Sequence, residues 1–414
     1  MKRVAIVSAC RTAVGTFGGS LKSYKAPQLA SVVMKEAVRR AGPKFDPVLL
    51  GDVRFGNCME DVDALNTTRV AQLLAGLPHT TPAATVNRVC TSGMEATVIA
   101  MHQIQAGFID CALTGGVESM TNAPYILPTA RWGQRLQDGK MVDSIIAALH
   151  CGSNFLPYPK DGPVEWARGK PYIMGLTAEF LAQKYEITRE QQDEFAVRSH
   201  NLAEAATQNG TFKEEIVAVE VKQGRKKPSI QFDKDEHFRP NTSMADLATL
   251  PPVFIPKHGT VTAGNASGIN DGASATLIMS EEKAAELGLE PLAFITGAGM
   301  GACEPEFMGV SPVPAVKDLL KRTGRSIGDY QRFEINEAFA SQAISCEKEL
   351  GIDRSLLNVN GSGISLGHPV GSTGNRILVT LLHELRREGL QRGLATLCGG
   401  GGVSLAVELE IPQK

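Results

Sequence analysis

The sequence predicts an α/β protein in which one architecture is used twice. Three observations carry that expectation: short apolar runs alternate with segments of helical periodicity, the alternation recurs in the same order after residue 290, and a long irregular stretch interrupts it. Residues 4–8 (VAIVS) read as a strand buried on both faces, followed by the Gly-rich loop RTAVGTFGGS. Residues 27–41 have helical spacing, with a proline near the start and Gly42 just past the end. Residues 52–57 form a second strand and 67–75 a second helix; the helix after Cys90 runs to Gly107 and a third buried strand spans 110–116. Strands joined through helices point to a mostly parallel sheet.

From residue 121 to 250 prolines, glycines and aromatics punctuate the chain, as in FLPYPKDGPVEWARGKPY. A helical pair is expected at about 177–184 and 188–208, then a short polar hairpin around 223–227 whose solvated tip carries Arg225, Lys226 and Lys227. The region is too long for an ordinary connection and reads as an inserted loop domain, where specificity usually resides. Residues 262–280 resume strand-and-turn sequence and 281–287 close the first half. The expected division is 1–120 with 251–290 as the amino-terminal half, 121–250 as the insertion and 291–414 as the carboxyl-terminal half.

The second half repeats the first. AFITG at 293–297 matches VAIVS, residues 312–323 are again helical, and RFEINEAFA places Asn336 where VRFGNCME places Asn57. Asn57 and Cys90 are 33 residues apart, Asn336 and His368 are 32 apart, and LATLCGGGGVSLAV answers CALTGGVES. An internal duplication follows, with Cys90 and His368 at matching helix starts. Packing about a pseudo-twofold axis would bring those two residues face to face.

Composition narrows the function. With 42 basic against 44 acidic residues no global field draws the chain to nucleic acid or to an anionic membrane surface. No apolar stretch approaches the length of a membrane span. The 8 cysteines include no C-x-x-C pair, so reduced thiols in a cytoplasmic protein are expected, without a metal site. No secretory n-region precedes the first strand, and the ending EIPQK carries no terminal Ser-Lys-Leu. GAGMGA matches a dinucleotide fingerprint, but CEPEFMGVSPVP follows where a helix is required, and no glycine cluster leads into G-K-[ST].

Cys90 falls between an apolar run and a helix start, where the positive end of the helix macrodipole favours thiolate over thiol. Taken singly, each candidate has a plain alternative. Cys90 could be a small core residue, Asn336 a helix cap, His368 before Pro369 a turn residue, Cys398 a core cysteine, and its following glycines a tight corner. Converging, two thiols, an imidazole and an amide offer a nucleophile, a base and a second acid/base in one place. A thiol with a pKa of about 8.5 is only a few per cent ionised at neutral pH, so Cys90 needs a proton acceptor. The CGGGG run frees backbone N–H groups to face developing charge.

These stretches resemble the thiolase family, and the resemblance runs from VAIVSACRTAVGTFGGSL to CGGGGVSLAVELE. It implies the thiolase fold, with duplicated α/β halves, buried central helices between mixed sheets and an inserted loop domain. It also implies an acetyl-CoA C-acyltransferase or acetyl-CoA acetyltransferase of fatty acid metabolism, with acyl-CoA and coenzyme A as substrates and no metal or redox cofactor. By this resemblance Cys90 is the nucleophile, His368 takes its proton and Cys398 is the acid/base at the acetyl carbon. The amides of Cys90 and Gly400 form one oxyanion hole, and His368 with a water held by Asn336 the other.

The resemblance further places Arg239, in FRPNTSMADL, at the coenzyme A phosphates and Ser267 with Ala263 near the pantetheine arm. Met308 and Phe339 resemble acyl-pocket residues, although core packing explains them equally well. Met174 stands in YIMG, where acetoacetyl-CoA thiolases usually show a histidine before Met-Gly. That departure, with the long aromatic segment before it, points to a bulkier or branched 3-ketoacyl chain. A decarboxylating ketoacyl synthase would need no second cysteine, so Cys398 speaks against it; retention of all four reactive positions speaks against a silent acyl-CoA or lipid carrier. A homodimer through the core sheet, or a homotetramer through residues 121–143, is expected.

Overall fold

Apolar runs that meet protein on both faces become strands buried along their whole length. The computed structural model describes residues 2–224 and 228–413, so the basic tip at Arg225, Lys226 and Lys227 lies outside the described residues. Val219–Val221 and Ile230–Phe232 pair antiparallel on either side of it. In chain order the elements are β1 (Val4–Thr12), α1 (Ala26–Ala41), β2 (Asp52–Gly56), α2 (Thr67–Leu74), β3 (Ala83–Val86), α3 (Ser92–Gln105) and β4 (Cys111–Ser119). α4 (Met174–Lys184) and α5 (Arg189–Gln208) follow. The remainder is β5 (Asn270–Ser280), β6 (Ala293–Ala302), α6 (Pro312–Thr323), β7 (Arg332–Ile335), α7 (Ala340–Leu350), α8 (Val370–Arg387), β8 (Arg392–Gly399) and β9 (Val403–Glu410).

The duplication is visible in the strand order. One half runs β3-β2-β4-β5-β1 and the other β6-β9-β8-β7, and β1 joins β6 antiparallel through Val4–Ile295, Ala5–Phe294 and Ile6–Ala293. Read outward from that seam, β1, β5, β4 and β2 answer β6, β9, β8 and β7. The counterpart of β3 has shrunk to a single bridge between Phe333 and Leu357. Each half is mixed, not mostly parallel. β2 lies parallel to β4, and β7 to β8, whereas the tight turn after Gly399 returns β9 antiparallel to β8.

Two expectations shift at strand ends. β1 continues to Thr12 because Arg11, fully buried, is met by Glu215 at 2.7 Å and by both Asp235 oxygens at 2.7 and 2.9 Å. This buried triad also ties Glu215 and Asp235 to the first strand. β6 absorbs GAGMGA, whose glycines bring α6 against the strand: a Cβ on Gly299 would lie 2.3 Å from the Ala315 carbonyl. Those glycines serve helix–strand contact, with no phosphate loop.

Between the strands lie α3 and α8, both largely buried. Small residues allow their first turns to cross closely. A Cβ on Gly374 would sit 2.7 Å from the Met94 nitrogen.

Candidate active site

Cys90 stands two residues before α3, on a turn that the sequence holds tightly. Val89 takes φ 49°, an uncommon conformation for a β-branched residue. The Ser92 hydroxyl accepts from the Arg88 N–H at 2.8 Å and donates to the Val89 carbonyl at 2.5 Å. The Cys90 thiol is 3 % exposed at residue level. Burial pushes it up to about 12, the neighbouring Cys151 adds to this, and the N–H groups of Gly400 and Cys90 itself pull the other way. Desolvation outweighs the pull of the helix end toward thiolate, which leaves Cys90 the thiol in need of a proton acceptor that the sequence expects.

A buried thiol needs a base, and His368 is shaped as one. It precedes Pro369 at the start of α8, and its backbone N–H donates to Asn270 Oδ1 at 2.9 Å. Its Nδ1 lies 2.7 Å from Thr373 Oγ1, while Thr373 donates its own hydrogen to the Pro369 carbonyl at 2.9 Å. The hydrogen in the first contact thus belongs to Nδ1, which leaves the lone pair on Nε2. That Nε2 is buried without a partner among the described residues. Burial, aided by Arg376, pushes the imidazole down to about 3, so it is neutral at physiological pH.

Asn336 ends β7 with its N–H on the Thr396 carbonyl at 3.1 Å. Its amide approaches His368 Nδ1 at 3.4 Å, and its Oδ1 has no partner among the described residues. Glu337 stiffens this corner by accepting from Ser199 at 2.6 Å and Asn358 at 2.9 Å. Cys398 lies near the end of β8 and is raised well above its ordinary value, first by burial and then by Cys90. The two thiols are thus neighbours whose charges oppose one another. Beyond Cys398 the chain turns through Gly401 and Gly402, at φ 80° and 86°, which orients Gly400 toward Cys90.

The other predicted residues fall into two groups. Arg239 and Ala263 line a cleft of about 520 Å3 together with His200, His237, Leu247 and Leu250. The Arg239 N–H donates to His200 Nδ1 at 3.1 Å. Ser267 borders this cleft: its N–H meets the Ala338 carbonyl at 2.9 Å, and a Cβ on the adjacent Gly268 would lie 2.3 Å from the His237 ring. Phe339 bridges to Ala266 on the same loop and stacks edge-on with Phe254 at 6.4 Å. Met174 and Met308 belong to a second, smaller cavity beside Gly401. None of Cys90, His368 or Cys398 lines the Arg239 cleft, so a ligand joining it to the thiols must be extended.

Several residues that contact the candidate side chains carry no mark in the sequence. Thr373, which fixes the imidazole, is an unremarked helix residue. Glu118 accepts from the N–H groups of Cys58, Met59 and Gly371 at 3.0, 3.0 and 2.8 Å and ties the start of α8 to the first half. Burial raises that carboxyl to about 7 against these donors. Cys151 reaches the Gly400 turn from the long segment, where no motif marks it. Of the aromatics there, Tyr158, Trp166 and Phe180 cluster with Tyr172, which alone of the four reaches the small cavity.

The chain matches two descriptions end to end: thiolase, N-terminal domain, over residues 4–282, and thiolase, C-terminal domain, over residues 289–411. It is 46% identical over 410 residues to an acetyl-CoA acetyltransferase of Cupriavidus necator, covering 99% of this chain and 100% of the relative. The crystal structure of Bacillus anthracis acetyl-CoA acetyltransferase superposes with a TM-score of 0.92 at 45% identity, covering 100% of this chain and 99% of the other. Human mitochondrial 3-ketoacyl-CoA thiolase in complex with CoA gives 0.90 at 39%, covering 99% and 98%. The paired halves, the site at their junction and these likenesses agree, and the chain belongs to the thiolase family of acyltransferases.

Proposed function

We propose that Cys90 carries the acyl group, His368 is its base and Cys398 is the acid/base at the acetyl carbon of a 3-ketoacyl-CoA. The observation that supports this reading is the complementary protonation of the pair: a buried thiol on Cys90 and a neutral imidazole with a free Nε2 on His368. In thiolysis Nε2 takes the Cys90 proton and Sγ attacks the 3-keto carbon. The C2–C3 bond breaks, its electron pair passes to C2, and the Cys398 thiol protonates C2 as acetyl-CoA departs. Coenzyme A then gives its thiol proton to Cys398 and attacks the acyl carbon; Cys90 leaves and recovers its proton from His368. Condensation runs these steps backwards.

Charge on the tetrahedral oxygens needs fixed donors, each worth roughly 3 kcal/mol in such sites. The N–H groups of Cys90 and Gly400 fit one oxyanion position, and Asn336 with His368 the other. The cleft at Arg239 and Ala263, with Ser267 at its border, suits the coenzyme, whose pantetheine would run past Ala266 and Phe339 to the thiols. Residues 121–250 form the inserted loop domain in this reading. Association of identical chains is supported by the uncovered edge of β3 and by exposed Tyr125, Leu127, Trp132, Leu136 and Phe155. No helix of the described residues is long and apolar enough to cross a membrane, and all eight cysteines are unpaired, in keeping with a reducing cytoplasm. Thiolysis followed at the thioester absorbance, in wild type and Cys90→Ala, tests the reading: loss of turnover in the variant is expected, and full turnover would refute it.

A further inference from the structure

The side chains packed directly on Gly400, Cys151 and Met174, come from the long segment, and Met308 of the second half lines the same cavity. The Gly400 N–H is directed to the Cys90 sulfur, so groups packed on that glycine lie beside the acyl carbon. A Cβ at Gly400 would fall 2.0 Å from Cys151 Sγ and 2.4 Å from Met174 Cε. A thiol and a thioether therefore press directly on the backbone of the turn. Cys151, Tyr172, Met174, Thr177, Met308 and Gly401 enclose a cavity of only about 10 Å3, room for about one water molecule or a methyl group.

The thiol is held in place by its own backbone. Cys151 takes φ 43° and Gly152 φ 84°, and the Cys151 N–H donates to the Ala148 carbonyl at 2.9 Å. Immediately beyond, Ser153 closes the neck of the aromatic loop, donating to the Tyr172 carbonyl at 2.6 Å and accepting from its N–H at 3.1 Å. The Met174 N–H bonds the Leu149 carbonyl at 3.0 Å, so the two sides of the wall are fastened together.

We propose that Cys151, backed by Met174 and Met308, is a specificity-determining residue that limits the acyl group on Cys90 to acetyl. The inference rests on Cys90 as the acyl carrier. Its substrate class is the 3-ketoacyl thioester whose transferred acyl part is acetyl, against the bulkier chain expected from the YIMG departure.

The test compares kcat/KM for thiolysis of acetoacetyl-CoA and 3-ketohexanoyl-CoA in wild type, Cys151→Gly and Cys151→Ala. Glycine suits the positive φ, and alanine supplies a second variant with the sulfur removed. Wild type is expected to favour acetoacetyl-CoA by about tenfold or more, since methylene-scale discrimination spans roughly 10–200-fold. Each soluble variant is expected to shift the ratio toward 3-ketohexanoyl-CoA by about tenfold or more. A wild type that uses both substrates equally, or a soluble variant with an unchanged ratio, overturns the proposal. Mass analysis of wild type after acetyl-CoA separates the two levels: an acetylated Cys90 with an unmoved ratio sinks only the pocket assignment, whereas absence of acetylation sinks the carrier role and this inference with it.

Discussion

Gly93 and Gly371 meet backbone against backbone, with the Cβ position of Gly93 only 2.9 Å from the Gly371 carbonyl oxygen. Each lies three residues beyond a reactive side chain, Gly93 after Cys90 and Gly371 after His368. The contact places the two helix starts opposite one another across the duplicated halves. Gly93→Ala is expected to force them apart and to lower unfolding free energy by about 1–3 kcal/mol, the usual range for overpacking. Urea titration measures this, and an unchanged midpoint with an unchanged slope would show that the crossing is slack.

Thr373 governs which ring nitrogen of His368 carries hydrogen. Thr373→Val removes the acceptor at Nδ1 and should lower kcat by roughly tenfold or more, below the loss of about 10²–10⁴-fold expected for His368→Ala. Thr373→Ser keeps the oxygen and should restore most of the rate. Equal damage from valine and serine would assign Thr373 a packing role only.

The buried imidazole predicts an unusual pH profile. His368 is depressed from 6.5 to about 3, so it remains an unprotonated base through mildly acidic pH. Thiolysis kcat/KM should show no limb centred near 6.5 while the protein stays folded. The linked stability has a definite sign: the contribution is full above the unfolded value of 6.5 and declines as pH falls from there toward about 3. His368→Gln should flatten this part of the stability profile. An activity midpoint at 6.5 in stable wild type would contradict the assignment.

Much of the proposed centre was legible in the chain because chemistry and duplication mark it twice. Cys90 and His368 occupy matching helix starts, Asn336 ends the strand that answers β2, and Cys398 announces itself by four following glycines. How far burial raises the Cys90 thiol was hidden, since burial depends on how both halves close over it. Cys151 and Thr373 were hidden for a related reason: one arrives from an irregular segment without periodicity, and the other looks like any helical threonine until Pro369 turns His368 back upon it. The mostly parallel sheet failed because apolar runs reveal strands but not their direction.

In the proposed mechanism Cys398 acts in only one of the two half-reactions. Cys398→Ser should still accept an acetyl group on Cys90 from acetyl-CoA, yet lose carbon–carbon bond formation by about 10²–10⁴-fold, the range for a positioned acid/base. Stopped-time labelling against a condensation assay resolves them. Parallel loss of both would place Cys398 in acyl transfer itself.

The central claim is tested most directly by mixing the protein with acetyl-CoA, quenching in acid and locating the label by peptide mass spectrometry. A single acetyl group on Cys90, absent from Cys90→Ala and formed much more slowly in His368→Ala, is the predicted result. Acetylation at another residue, or labelling that persists in Cys90→Ala, would contradict it.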